Sequence, residues 1–453
     1  MKVHFIAIGG SAMHNLALAL RAKGFEVTGS DDEIFEPSKT RLANAGILPS
    51  AVGWFPEKIG SNLDAVILGM HARNDNPELV KARELGLKIF SYPEYLYEQT
   101  RDKVRAVVGG SHGKTTITSM VMHVLKASGK KFDYMVGSQV EGFDTMVGLS
   151  NEAPVAIFEG DEYLTSPIDL RPKFHLYNAS IGLISGIAWD HVNVFPTFDG
   201  YVEQFRIFAE NIEPSGTLIY CEDDKVVCEM VESSNIRAKK VGYKSHPHHK
   251  QGEKWVLETS YGAVVVMVFG NHNMQNIAGA KEICTRLGVS EMEFYDAILS
   301  FGGAAKRLQL LGADKLVTYY LDFAHSPSKV QATVEAVKEQ FPHHNLVAAL
   351  ELHTFSSLSA SFLSHYKGTM EEADKAVVFF NPEAILHKNL PTLTTADVKN
   401  SFGRDDLTVF SDSQKLKAAI FRQYSSKTVV LLMSSGNFGG LDLPDLVSKA
   451  LEK

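Results

Sequence analysis

Cysteine is scarce: Cys221, Cys228 and Cys284 are the only three in 453 residues. They form no C-x-x-C pair and no zinc-type spacing, which excludes a disulfide scaffold and a structural zinc site. Reduced, mostly buried thiols are expected. A basic excess is also missing, since 45 Lys and Arg face 53 Asp and Glu for a net charge of −8. Nucleic acids and anionic membrane surfaces both call for a basic stripe, so neither is expected as a partner. Long apolar runs are absent: Ala263 to Phe269 is far short of a membrane span. The apolar start, Met1 to Gly10, ends in Gly-Gly rather than a cleavage site. A cytoplasmic chain of two to four domains, without repeats or low-complexity segments, is the expectation.

What the sequence does contain is a β-branched run, Lys103 to Val108, that breaks into Gly109-Gly110-Ser111-His112-Gly113-Lys114-Thr115-Thr116. A helical pattern through Ile117, Met120, Val121 and Val124 follows. Strand, Gly-rich turn and helix N-terminus is the order in which backbone N–H groups converge on an anion. Lys114 is placed to reach terminal phosphates and the Thr115 hydroxyl to ligate Mg²⁺. Val108 stands where the strict P-loop spacing wants glycine, so the loop is a shortened variant. It predicts a nucleoside triphosphate site.

The rest of the chain reads as α/β throughout. Val3 to Ile8, Ser11 to Lys23 and Phe25 to Thr28 form a βαβ start that closes on Gly29-Ser30-Asp31-Asp32. Ala7 and Ala12 break the dinucleotide fingerprint, which argues against an NAD-dependent oxidoreductase. A strand from Ala65 to Gly69 leads into a polar loop, His71 to Glu78, and a helix, Glu78 to Leu85. Ser91 to Asp102 reads as a linker. The strands Ala153 to Phe158 and Ile181 to Ile187 end in Glu159-Gly160-Asp161-Glu162-Tyr163 and Ala188-Trp189-Asp190-His191, at the sheet edge where ligands bind. Glu159 and His191 are therefore candidate metal ligands with Thr115; Asp161 and Glu162 are equally readable as a solvated acidic turn. His246-Pro247-His248-His249 reads as an exposed loop rather than a metal site. Gly270 to Asn276 opens a helix through Ile283. The strands Val317 to Leu321, Leu346 to Leu350, Lys375 to Phe380 and Thr428 to Met433 alternate with helices to the end, among them Ser328 to Phe341.

Taken in order, Gly-Ser-His-Gly-Lys-Thr-Thr, Glu-Gly-Asp-Glu-Tyr, Asp-His, His-Asn-Met-x-Asn, Arg307 and Asp-Phe-Ala-His-Ser-Pro resemble the Mur ligases, almost from end to end. The closer resemblance is to the murein peptide ligase branch, carried by Glu159 to Tyr163, Asp169 to Phe174 and Ser435 to Gly440. That branch joins UDP-N-acetylmuramate to L-alanyl-γ-D-glutamyl-meso-diaminopimelate; the sister ligase that adds L-alanine is the alternative. The resemblance implies an α/β fold of three domains. These are a Rossmann-like UDP-sugar domain (1–100), a P-loop-type central ATPase domain with a mostly parallel sheet (101–310) and an α/β C-terminal domain (311–453). It implies ATP and Mg²⁺ as cofactors, and UDP-N-acetylmuramate plus an amine as substrates, and leaves the oligomeric state open. A nucleotide-dependent switch is the competing class, but it leaves the Asp322–His325 motif unexplained.

Carried over residue by residue, Gly9, Gly10, Ser11, Ala12 and Met13 would cradle the UDP diphosphate, with Asp31 near the uridine and Asn74 and Asn76 lining the sugar site. Gly110 to Thr116, that is Gly110, Ser111, His112, Gly113, Lys114, Thr115 and Thr116, would hold the ATP phosphates. Thr115, Glu159 and His191 would serve magnesium, with Lys114, Glu159 and His191 as the catalytic set. Asn273, Asn276, Arg307, Asp322 and His325 would contact the nucleotide. Arg171 and Lys173 are expected to read a substrate carboxylate, a solvated basic turn being the alternative. The sequence departs from the family at Ala12, which replaces a glycine, and at Ser326, which replaces a histidine. The stretch Tyr201 to Phe208 also lacks the lysine that several sister ligases carbamylate.

Overall fold

A computed structural model describes residues 1–70, 72–166 and 168–452; His71, from the polar loop, lies outside them. Two compact units are resolved, one built from 1–187, 199–244 and 278–298, the other from 188–198, 245–277 and 299–453.

The first unit holds two parallel-rich sheets. Its N-terminal sheet comprises β1 (Lys2–Ile6), β2 (Glu26–Ser30), β3 (Ala65–Leu68) and β4 (Ile89–Ser91), in the order β2-β1-β3-β4, all parallel. The second sheet comprises β5 (Val104–Gly109), β6 (Phe132–Met135), β7 (Val147–Gly148), β8 (Val155–Glu159) and, after a hairpin of β9 (Leu164–Ser166) and β10 (Asp169–Pro172), β11 (Ile181–Ile184), β12 (Thr217–Cys221) and β13 (Lys239–Tyr243). Its order, β13-β12-β11-β5-β8-β6-β7, puts β5 between β11 and β8, with only the short β7 antiparallel. Strands covered on both faces form near-continuous apolar runs. Accordingly Val107, Val108, Ile157, Phe158, Leu183 and Ile184 are wholly buried.

The second unit contains a small antiparallel sheet, β14 (His248–Gln251), β15 (Lys254–Thr259) and β16 (Gly262–Val266). It also contains a six-stranded sheet of β17 (Gln309–Ala313), β18 (Val317–Asp322), β19 (Asn345–Leu352), β20 (Lys375–Phe380), β21 (Thr408–Phe410) and β22 (Thr428–Met433), ordered β17-β18-β22-β19-β20-β21. Val317, Tyr319, Val347, Val377, Val430 and Leu432 form its main core with Leu416, Ile420 and Val447 from the helices.

Two expectations need correction. Ser91 to Asp102 is not a linker: Tyr92–Thr100 is a helix, closed at its start by Glu94, whose carboxylate accepts from Ser91 N (2.9 Å) and Ser91 Oγ (2.7 Å). The Ser-x-x-Glu box and Pro93 were visible signals for a helix N-terminus. His246 to His249 are an exposed loop only in part: Pro247 and His249 are exposed, but the strand β14 begins at His248. His248 stacks on the buried Trp255 at 5.4 Å, His246 is buried, and His249 Nδ1 lies 3.0 Å from Glu258 across the ladder. Among the described residues no group of three metal-ligating side chains forms there or elsewhere.

None of the three cysteines forms a disulfide; Cys221 and Cys284 are buried and Cys228 is half-buried on the helix Lys225–Ser233. Burial and the acidic neighbours Glu222, Glu232, Asp224 and Asp223 push the Cys228 thiol above its ordinary range.

Candidate active site

β5 leaves the sheet at Gly109 and turns through Gly110 (φ +139°) and Gly113 (φ +78°) into the helix Lys114–Ala127. Gly110 has a second constraint, because a Cβ there would lie 2.0 Å from Ser185 Oγ on the segment after β11. The single hydroxyl hydrogen of Ser185 is shared between the carbonyls of His112 and Gly109, the latter at 3.3 Å, and Ser111 N donates to Gly186 O at 2.9 Å. The loop is thus fixed from the adjacent strand end. The N-terminus of the helix that follows is an anion site by geometry and dipole.

The side chains around this loop form two pairs. Thr115 Oγ1 donates to Glu159 Oε1 at 2.9 Å, while Glu159 Oε2 accepts from Gly137 N at 2.7 Å. A hydroxyl and a carboxylate this close supply the hard oxygen donors that Mg²⁺ prefers, so the pair fits a magnesium ion. Lys114 Nζ donates to Gly110 O at 2.6 Å and to Glu162 Oε2 at 2.5 Å. Burial works against the Lys114 charge, but the carboxylates of Glu162, Asp161 and Glu159 outweigh it and hold the ammonium above its usual range. Glu162 is therefore no solvated turn residue: it is fully buried. Asp161 accepts instead from Lys173 Nζ at 2.5 Å, and Arg171 pairs with Asp169 at 2.6 Å.

In the N-terminal sheet, Gly9 N donates to Asp31 Oδ2 at 2.6 Å, so Asp31 braces the turn before the helix Ser11–Ala22. Burial pushes the Asp31 carboxyl up. The left-handed residue of this turn is Ala7, at φ +68°, and Ala12 lies inside the helix, which explains how the loop forms without the family glycine. Gly10 immediately precedes that helix, Ser11 and Ala12 are exposed in its first turn, and Met13 is buried. Asn76 Oδ1 caps the helix Pro77–Glu84 by accepting from Glu78 N and Leu79 N, and Asn74 Oδ1 accepts from Arg83 at 3.1 Å.

The remaining predicted residues belong to the second unit. Asn273 and Asn276 are buried within the helix Asn271–Arg286, Asn276 Nδ2 donating to Asn273 Oδ1 at 3.3 Å. Asp322 accepts from Leu308 N and Ala324 N, both at 2.7 Å, so it shapes the turn that carries Arg307, whose guanidinium lies 4.7 Å from the Phe323 ring centroid. His191 takes φ +55°, with its N–H bonded to Asp190 Oδ1 at 2.8 Å. Asp190 is buried against Lys329 (3.3 Å) and His325 (3.7 Å). Burial opposes its charge, but Lys329, His325 and His191 hold the carboxyl well below the usual range. Lys329 was not singled out from sequence; a lysine early in an amphipathic helix looks like any solvated one.

Burial holds His14 and His325 below the ordinary imidazole range. An unfolded histidine titrates near ~6.5, so on acidification the unfolded chain binds these protons first and stability falls as pH drops through that value. The melting temperature is expected to be lower at pH 5.5 than at pH 7.5; an unchanged or higher value would show these imidazoles to be protonated in the fold.

Comparison with known proteins places these loops in context. Residues 2–103 match the Mur ligase family catalytic domain, 108–284 the Mur ligase middle domain and 306–436 the glutamate ligase domain of Mur ligases. The UDP-N-acetylmuramate--L-alanine ligase of Arthrobacter sp. is 30% identical over 388 residues, 83% of this chain and 80% of that one. The chain belongs to the Mur ligase family. Members are ATP-dependent, ADP-forming ligases, and this chain is an enzyme of that class. Its three-domain, mostly parallel α/β architecture is shared with two solved structures, each 21% identical over 100% of this chain. One is a UDP-N-acetylmuramate-alanine ligase from Thermotoga maritima (TM-score 0.72, 98% of that chain), the other a murein peptide ligase from Psychrobacter arcticus (TM-score 0.68, 99% of that chain). Among the described residues no helix is long and apolar enough to cross a membrane.

The comparisons overturn the expected tripeptide acceptor. Curated relatives at 28–30% identity carry the name of the L-alanine ligase. The segments behind the tripeptide expectation prove to be internally engaged: Lys173 and Arg171 pair with Asp161 and Asp169, Glu162 with Lys114, and in the terminal motif Phe438 N donates to Glu351 at 2.7 Å.

Proposed function

We propose that this Mur ligase joins the lactyl carboxylate of UDP-N-acetylmuramate to L-alanine, using ATP and Mg²⁺. The observation that carries the chemistry is the convergence of Lys114, Thr115 and Glu159 at one phosphate loop; the acceptor rests on the relatives' names. A carboxylate is a poor acylating agent at neutral pH. Transfer of the γ-phosphoryl group makes it an acyl phosphate, which the amine attacks at the carbonyl carbon, expelling inorganic phosphate and giving up a proton. Lys114 would neutralise charge on the transferring group. Thr115 and Glu159 would hold the magnesium ion, whose role is to offset phosphate charge. Gly9 to Met13 and Asp31 would bind the UDP moiety, with Asn74 and Asn76 at its sugar end. Asn273, Asn276, Arg307, Asp322 and His325 would serve the nucleotide, and His191 a second position on the metal–phosphate cluster. Holding the reactants in line contributes on the order of several kcal/mol to lowering the barrier.

Phosphate release with ATP, Mg²⁺ and UDP-N-acetylmuramate tests the proposal, with L-alanine and the tripeptide offered in parallel. Release that requires the UDP-sugar and is driven by L-alanine is expected. Release driven by the tripeptide but not by L-alanine would overturn the acceptor, and release indifferent to the UDP-sugar would overturn the ligase reading.

A further inference from the structure

The buried carboxylate of Glu162 takes part in none of the steps just described. It lies three residues beyond Glu159 and is 0% exposed, in the company of Tyr201, also 0%, and Ser111, 2%. Tyr201, on the helix Phe198–Glu210, donates its hydroxyl hydrogen to Glu162 Oε1 at 3.1 Å. Having one hydrogen only, Tyr201 must accept in its 2.8 Å contact with Ser111 Oγ, which is then the donor. Glu162 Oε2 accepts from Lys114 Nζ at 2.5 Å. Ser111, Tyr201, Glu162 and Lys114 thus close a ring of hydrogen bonds that begins and ends on the phosphate loop, three residues apart.

The ring has a directional consequence. An ammonium group has three hydrogens. Gly110 O takes one of Lys114's at 2.6 Å and Glu162 takes another, so the third is aimed by the other two. A flexible four-carbon side chain would otherwise spread its charge over many rotamers. Charge-assisted bonds of this kind, inside a buried site, are the stronger class.

We infer that Glu162 is a positioning residue which, locked by Tyr201 and Ser111, aims the Lys114 ammonium at the terminal phosphates of ATP. This rests on the reading of Lys114 as the phosphate-binding lysine. A purely structural ion pair predicts a different pattern, because it would affect every nucleotide alike.

Calorimetric binding of ATP and AMP to the full chain separates the two. In Glu162→Gln, ATP affinity is expected to fall about tenfold, comparable to one charge-assisted hydrogen bond, with AMP affinity unchanged. In a Lys114→Ala background the same substitution should have no further effect on ATP. Because Glu162→Gln disturbs a buried group, Tyr201→Phe provides a gentler variant that removes one hydroxyl; an ATP-specific loss of about threefold is expected of it, a fraction of one hydrogen bond. Equal weakening of ATP and AMP, or an undiminished effect of Glu162→Gln without Lys114, would overturn the positioning role. Failure of the unsubstituted chain to bind ATP would instead remove the phosphate-site reading itself, and the inference with it.

Discussion

Lys114→Ala is expected to lower UDP-sugar-dependent phosphate release by at least about 10²–10³-fold, the scale for losing one preorganised electrostatic contact to a developing charge. Its second effect is on stability. Removing Lys114 leaves Glu162 fully buried without its cation, and breaking a buried pair costs up to about 3–5 kcal/mol, less whatever is recovered when Glu162 takes up a proton. The single variant should therefore melt earlier than the parent. Lys114→Ala combined with Glu162→Gln should regain much of the lost melting temperature and none of the activity. Turnover at the parental rate in either variant would refute the assignment of Lys114.

The largest expected loss of stability is at Arg105, which sits in β5 with 3% of its surface exposed. Its guanidinium lies 2.7–3.0 Å from the carbonyls of Tyr177, Asn178, Thr100, Arg101 and Lys103, Nε and Nη1 sharing their hydrogens among them, and Nη2 donates to Glu213 at 2.8 Å. It thereby ties the end of the helix Tyr92–Thr100 to the turn before β11. Arg105→Met would fill similar volume but strand these acceptors. A loss of about 3–5 kcal/mol is expected from several buried carbonyls left unsatisfied at about 1–3 kcal/mol each, the half-exposed Glu213 being free to rehydrate. At roughly 2–4 °C per kcal/mol for a domain of this size, the melting temperature should fall by around 10 °C. A fall of less than about 2 °C, at the low end of that scale, would show that water replaces the guanidinium there.

Much of this architecture can be read from local signals. The strand–glycine–helix order around Lys114 gives the element boundaries and points to the proposed phosphate site, because a parallel strand and an anion-binding helix start impose their own composition. Glu159 was legible for the same reason, as an acid at a strand end beside that loop. Arg105 and Glu162 were not. Each is a charged residue whose oppositely charged partner is distant, Glu213 108 positions from Arg105 and Lys114 48 positions from Glu162, and sequence spacing carries no trace of such pairings. Asp322 stood out by its motif as a nucleotide contact, yet its two oxygens are given to main-chain N–H groups, a role that motif position does not reveal. The segment from Ser91 to Asp102 failed differently, since its capping signals were present but its polar end, Glu98 to Asp102, masked them. The choice of amine rests on few side chains, and the basic residues that suggested a tripeptide are neutralised by acids two and twelve positions away.

The three thiols have a practical consequence for measuring how this enzyme moves. Two are sealed in the interior, so a maleimide dye would attach at one defined point on the helix Lys225–Ser233 without prior cysteine removal. The acidic surroundings that disfavour the Cys228 thiolate make this coupling slow near neutrality and faster in mildly alkaline buffer, since the thiolate is the reacting form. One engineered cysteine elsewhere would then suffice for a fluorescence distance pair.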